Sequence, residues 1–183
     1  MRSFVRPAAA IVAFAAILGI LSPMRLALAQ SVHATLYIVA GDLPRTLGSS
    51  DQVLRYARSH RARQLNESDD AERDRRHWNA TVVTQFARPF TDRNFTLLFY
   101  DVTDSPRSMV GSPMDIFVRG NESIVASDVR MERPRFRPAR DIEVVLTVRH
   151  VEAGRARVRL NGEVPRGNGS LDFTSGDPEA RSR

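Results

Sequence analysis

The sequence predicts a mainly β protein: a single antiparallel β-sandwich of about eight strands with one helical excursion, behind an N-terminal signal peptide. Three observations carry this expectation. Apolar residues alternate with polar ones in several short runs separated by turn residues. A charge-free apolar stretch follows a basic start at the N-terminus. The composition, 42% hydrophobic and 26% charged, is that of a chain that packs a core rather than of a disordered or collagen-like one.

At about 150 residues per domain, 183 residues make one domain with appendages. Arg2 and Arg6 precede the uncharged run Ala8 to Leu21, and Ala27-Leu28-Ala29 supplies the small residues of a cleavage site. Cutting is expected after Ala29. The run stops at Ser22-Pro23 with Arg25 following, short of the roughly 20 apolar residues a membrane span needs. The domains expected are therefore a signal peptide over 1–29, a sandwich over 30–173 and a flexible tail over 174–183. Residues 51–78 form a helix plus a charged insert within the sandwich. No further span follows Gln30, so the mature chain is expected to be soluble.

Every cation is arginine, there is no lysine, and Cys 0 excludes disulfides, thiolate metal sites and a cysteine nucleophile. Arginine-only cations and cysteine absence suggest a bacterial chain, hence periplasm, cell surface or medium. The formal net charge of +6 includes Arg2, Arg6 and Arg25, which leaves 24 arginines against 21 acids beyond the leader. So mild an excess does not by itself specify a polyanion partner. Asn66, Asn79, Asn94, Asn121 and Asn168 open N-x-Ser/Thr triplets, which fit turn and strand starts as well as glycan acceptors.

The first strand is expected at Val32 to Ala40, with Leu36 and Ile38 on one face, and Gly41-Asp42 ends it. The strongest alternation runs from Asp141 to Arg149, with Ile142, Val144, Leu146 and Val148 on the inner face. Arg155 to Leu160 follows, joined to it by an expected loop at Val151-Glu152-Ala153-Gly154. Further strands are expected at Ala80 to Ala87, Phe95 to Val102, Met114 to Arg119, Ile124 to Met131 and Ser170 to Phe173. Phe95 to Val102 is apolar on both faces, so its second face is expected to lie under a helix. That helix is expected from about Asp51 to Leu65, capped by Ser50 or Asp51, with Val53, Leu54, Ala57, Arg61 and Leu65 at helical spacing. The segment Asn66 to His77 interleaves acids with arginines and reads as solvated helix or surface loop.

Pro134 and Pro138 are expected to hold Glu132 to Arg140 extended, with Phe136 plugging the core between them. This connection, the Asp141 strand and the Arg155 strand together resemble the closing part of an immunoglobulin-like or fibronectin-type-III-like sandwich. The resemblance covers about a quarter of the chain and implies fold alone. Ile142 stands where such domains often carry a tyrosine, and their paired cysteines are absent.

Hydrolase and phosphate-loop motifs are missing, and the histidines His33, His60, His77 and His150 lack metal-ligand spacing. No catalytic residue, cofactor or metal is therefore expected. Asp101 and Asp104, at a strand end before Ser105-Pro106, are weak calcium candidates that also fit turn chemistry. The most pointed feature is a row of arginines. Arg155, Arg157 and Arg159 alternate on one strand and so project from one sheet face, and Arg149 on the neighbouring strand is expected to join them. Guanidinium forks in a row suit carboxylate, sulfate or phosphate groups. Cross-strand pairing with Glu143 and Glu163 would instead make them a solvated face.

The function expected is a non-catalytic binding, adhesion or envelope-associated module, with an envelope or surface protein or an anionic polysaccharide as partner. Nucleic acid is not expected, because the aromatics do not interleave with the arginines. The competing classes are an extracytoplasmic hydrolase of surface polymers and a structural subunit that pairs by strand addition.

Overall fold

A computed structural model describes residues 32–70, 72 and 75–163. The expected leader, the Ser170 to Phe173 strand and the tail from residue 174 lie outside the described residues. Nine strands and one helix follow in the order β1 (Ala34–Ala40), α1 (Ser50–Ser59), β2 (Gln64–Asn66), β3 (His77–Phe90), β4 (Asn94–Asp101), β5 (Ser108–Met109), β6 (Met114–Phe117), β7 (Glu122–Glu132), β8 (Arg140–Val148) and β9 (Val151–Asn161). They build two sheets, neither closed into a barrel. One has the order β1-β3-β7, and the other β2-β9-β8-β4-β5 with β6 beside β5 on the free edge of β4. Among the described residues no helix is long and apolar enough to cross a membrane.

The core lies between the sheets and follows the alternation read from the sequence. Leu36 and Ile38 of β1, Trp78 and Val82 of β3, Phe95, Leu97 and Phe99 of β4, and Ile142, Val144 and Leu146 of β8 are all buried in it. Phe86 stacks on Phe90 with ring centroids 4.4 Å apart, and both meet the Phe95 ring edge-on. Strand β3 reaches Phe90 through a register break after Gln85, so Pro89 sits where no ladder hydrogen bond is required of it. Phe136 plugs the core as expected, edge-on to Phe99 at 5.8 Å. Its segment turns rather than extends, with the Phe136 amide donating to the Glu132 carbonyl.

The helix is shorter than expected and lies on the other sheet. Ser49 caps it, in a reciprocal box with Gln52. It ends at Ser59, whose hydroxyl donates back to the Arg55 and Tyr56 carbonyls, and the His60 ring stacks on Tyr56. Its apolar face carries Val53, Leu54, Tyr56 and Ala57, of which Val53, Tyr56 and Ala57 pack with Val39 and Val83 on the outer side of β1 and β3. Leu65 belongs instead to β2, parallel to β9, where it enters the main core. The strand that needs two covers is thus β3, and the outer face of β4 is left to its own side chains.

The charged insert buries more than its composition suggests. The Glu67 side chain is 5% exposed and takes a two-pronged ion pair from Arg133, whose Nη2 also donates to the Glu163 carbonyl at 2.8 Å. Trp78 donates from its indole nitrogen to the Asn161 carbonyl at 2.7 Å. These contacts tie β2, β3 and β9 to the connection before β8.

The final hairpin also departs from expectation. Its turn is Arg149-His150, both at positive φ, 49° and 68°, which is the sign pattern of the two-residue turns that suit twisted strands. Val151 to Gly154 is strand, with a bulge that sets Leu146 opposite Gly154 and Thr147 opposite Glu152. Gly154 serves close packing rather than a turn. A Cβ placed there would lie 2.2 Å from the Ala34 carbonyl oxygen, on β1 of the facing sheet. Gly154→Ala is expected to lower stability by about 2–3 kcal/mol, read as a drop in the midpoint of chemical denaturation. An unchanged midpoint would mean that the sheets do not meet this closely.

Candidate functional site

The register of β4, β8 and β9 decides what stands on the outer face of the second sheet. Asp141 lies opposite Arg159, Glu143 opposite Arg157 and Tyr100, and Val145 opposite Arg155 and Leu98. Directly opposed side chains on one face sit close enough to pair. Arg155, Arg157 and Arg159 therefore do share one face, as the alternation predicts. Arg149 does not join them: it lies in the hairpin turn and pairs with Asp92.

Glu143 is the centre of the face. It is 1% exposed, although the single helix among the described residues packs on the opposite sheet. Its Oε1 accepts from Arg157 Nε at 2.9 Å and its Oε2 from Arg107 Nη1 at 3.3 Å, with Arg155 Nη1 3.8 Å from Oε2. A buried carboxylate is stable only when paired and hydrogen-bonded, and here guanidiniums close over it. The Arg107 guanidinium also stacks on Tyr100, 4.6 Å from the ring centroid. Val145 is buried beside Glu143 with Arg155 directly across from it, where the arginine's aliphatic stem can lie over it.

Two further pairs frame the centre. Arg159 donates to both oxygens of Asp141 at 3.3 and 3.4 Å, and Arg155 Nε donates to Glu152 at 2.7 Å. The hydrogen bond to Glu152, with the nearby charges of Glu152 and Glu143, raises the Arg155 pKa further above its ordinary value. Four arginines thus meet three carboxylates, and their side chains stay between about half and two-thirds exposed. Each guanidinium has five N–H donors, so the outward ones are free to meet an anion from solution.

Asp101 and Asp104 lie elsewhere, at the end of the sandwich. Asp101 accepts from the Thr103 amide at 2.9 Å, which is turn chemistry, and its carboxylate is 3.7 Å from Arg140. Asp104 pairs with the same Arg140, so both acids are partnered by one guanidinium. That hydrogen bond, together with the charges of Asp101 and Asp104, raises the Arg140 pKa. Among the described residues no group of three or more His, Asp or Glu side chains is placed to hold a metal ion.

One cluster has the residue types of a hydrolase. Ser68 Oγ lies 3.1 Å and Asp70 Oδ2 3.2 Å from His77, and Ser68 donates to Asp70 at 2.7 Å. Both contact the same ring nitrogen, Nδ1, which is also 3.1 Å from the Arg75 carbonyl. A catalytic relay needs nucleophile and acid on opposite nitrogens, so this cluster fastens the insert to β3 instead. The four N-x-Ser/Thr asparagines among the described residues, Asn66, Asn79, Asn94 and Asn121, are all exposed and scattered.

No protein-family model matches the chain, and no curated protein is significantly similar to it. The reading of the face therefore stands on its geometry.

Sequence reasoning placed the arginine row and named Glu143 as a cross-strand partner, but missed Arg107 and Tyr100. Their approach depends on the loop before β5, and only the Tyr100–Glu143 register, readable once β4 and β8 are paired, carries a signal. Glu143→Ala is expected to destabilise the protein by about 2 kcal/mol, below the cost of a fully buried pair because the arginines left behind can turn to water. Thermal or denaturant unfolding checks this, and no loss of stability would mean that Glu143 does not organise the face.

Proposed function

We propose that this protein is an exported, non-catalytic binding module that takes anionic polymer, such as acidic polysaccharide of the cell surface, on the outer face of its second sheet. The observation that carries the reading is the convergence of Arg107, Arg155 and Arg157 on the buried Glu143, which fixes the guanidiniums in place while leaving them half or more exposed. Fixed cations lose less freedom on binding than free ones, and guanidinium forks match carboxylate and sulfate groups. Tyr100 and the arginine stems add apolar area against which a sugar ring can lie.

The leader-like segment Met1 to Ala29 supports export to the periplasm, surface or medium. The strand order supports an immunoglobulin-like sandwich, since β1-β3-β7 runs as strands A-B-E of such domains and β9-β8-β4 as G-F-C. In such a module binding on a sheet face needs no catalytic group.

Replacing Arg155, Arg157 and Arg159 together by Gln is expected to lower retention on a polyuronate or sulfated matrix. Elution of the unaltered protein should move to lower volume as salt rises, because exposed charges are screened within about 8 Å at physiological ionic strength. Retention that is unchanged in the triple variant would overturn the reading.

A second reading has one observation in its favour. Strand β7 is eleven residues long and pairs only with β3, so its other edge is unpaired among the described residues, and such an edge can accept a partner's strand. A concentration-independent monomer in sedimentation equilibrium would exclude self-pairing through it.

A further inference from the structure

The inner faces of β4 and β8 are apolar along most of their length and turn polar at one end. On β4 the inward series Phe95, Leu97, Phe99 ends in Asp101, and on β8 the series from Ile142 to Val148 begins at Arg140. Here the sandwich opens into a cleft of about 450 Å³ whose apolar lining includes Pro106, Val110, Phe136 and Ile142. That volume falls in the range of sites that hold small molecules.

Three arginines and two carboxylates line the cleft. Arg140 is committed, held between Asp101 and Asp104. Arg135 gives one donor to Ser112 Oγ at 3.0 Å and faces no carboxylate, and Arg137 is exposed with no ion pair or hydrogen bond among the described residues. The lining therefore carries a net positive charge, with two guanidiniums in no ion pair and two carboxylates that can accept further hydrogen bonds. A dianion would meet repulsion from Asp101 and Asp104. A monoanion with hydroxyl groups would satisfy both kinds of group, its carboxylate on Arg135 and Arg137 and its hydroxyls donating to the two acids.

We propose that this cleft binds a single hydroxylated carboxylate, the chemistry of a uronic acid residue, with Arg135 and Arg137 as the carboxylate anchors and the Asp104 carboxylate as a hydroxyl acceptor. The cleft lies at the strand ends, whereas the arginine row stands on the outer face of β9, so the inference does not depend on polymer binding there.

The test is a titration of the isotopically labelled protein followed by amide resonances. D-glucuronate is expected to move the signals of Ser108, Val110, Phe136 and Ile142 with a dissociation constant of about 1 mM. The double variant Arg135→Gln, Arg137→Gln should weaken it ~10-fold or more with an unchanged circular-dichroism spectrum. The triple glutamine variant of the outer face should leave it unaltered. No movement at about 20 mM glucuronate would overturn the proposal. So would equal movement with acetate or sulfate, which would mark an unselective anion site, or with D-glucose, which would mark a neutral sugar site.

Discussion

A carboxylate removed from water on an otherwise open sheet face has to be answered by cations, and Glu143 imposes that condition on everything around it. Arg157 is directly opposite, Arg155 is diagonal, and Arg107 arrives from the loop before β5. The consequence is a set of guanidiniums that are held from below and open above. The same constraint explains why Val145 is buried without a covering element, because the arginines that reach toward Glu143 run their stems across its neighbourhood.

The scaffold holds this register through contacts at both ends of β9. Near its start, the sheets approach so closely at Gly154 and Ala34 that only a residue without a side chain fits. At its end, Trp78 bonds the Asn161 carbonyl, and the buried Glu67–Arg133 pair joins the insert to the connection before β8. A sliding β9 would thus disturb the close-packed contact at Gly154 and the Trp78 hydrogen bond to Asn161. A slip of one residue would exchange its inward Ala156, Val158 and Leu160 for the arginines.

Much of the fold was legible, since the period-two runs in β7 and β9 reflect one buried and one exposed face, and that difference is written in residue type. What was not legible came from contacts between distant segments. Leu65 continues the helical spacing of Leu54 and Ala57, yet it leaves the helix because the main core has a place for it beside β9. Ala153-Gly154 reads as a loop until Ala34 is seen against it. The charged insert looks wholly solvated because nothing in its own composition announces Arg133, 66 positions from Glu67. At the candidate site, alternation placed three arginines on one face but could not tell that Arg149 would sit in the turn or that Arg107 and Tyr100 would complete the cluster.

The central claim is that the outer face of the second sheet is the working surface. Mapping amide and arginine side-chain resonances during titration with a sulfated oligosaccharide that carries no carboxylate tests it most directly. The account predicts movements gathered on Tyr100, Arg107, Glu143, Arg155, Arg157 and Arg159, fading as salt is raised. Movements gathered on α1 and the first sheet, or none at all, would contradict it.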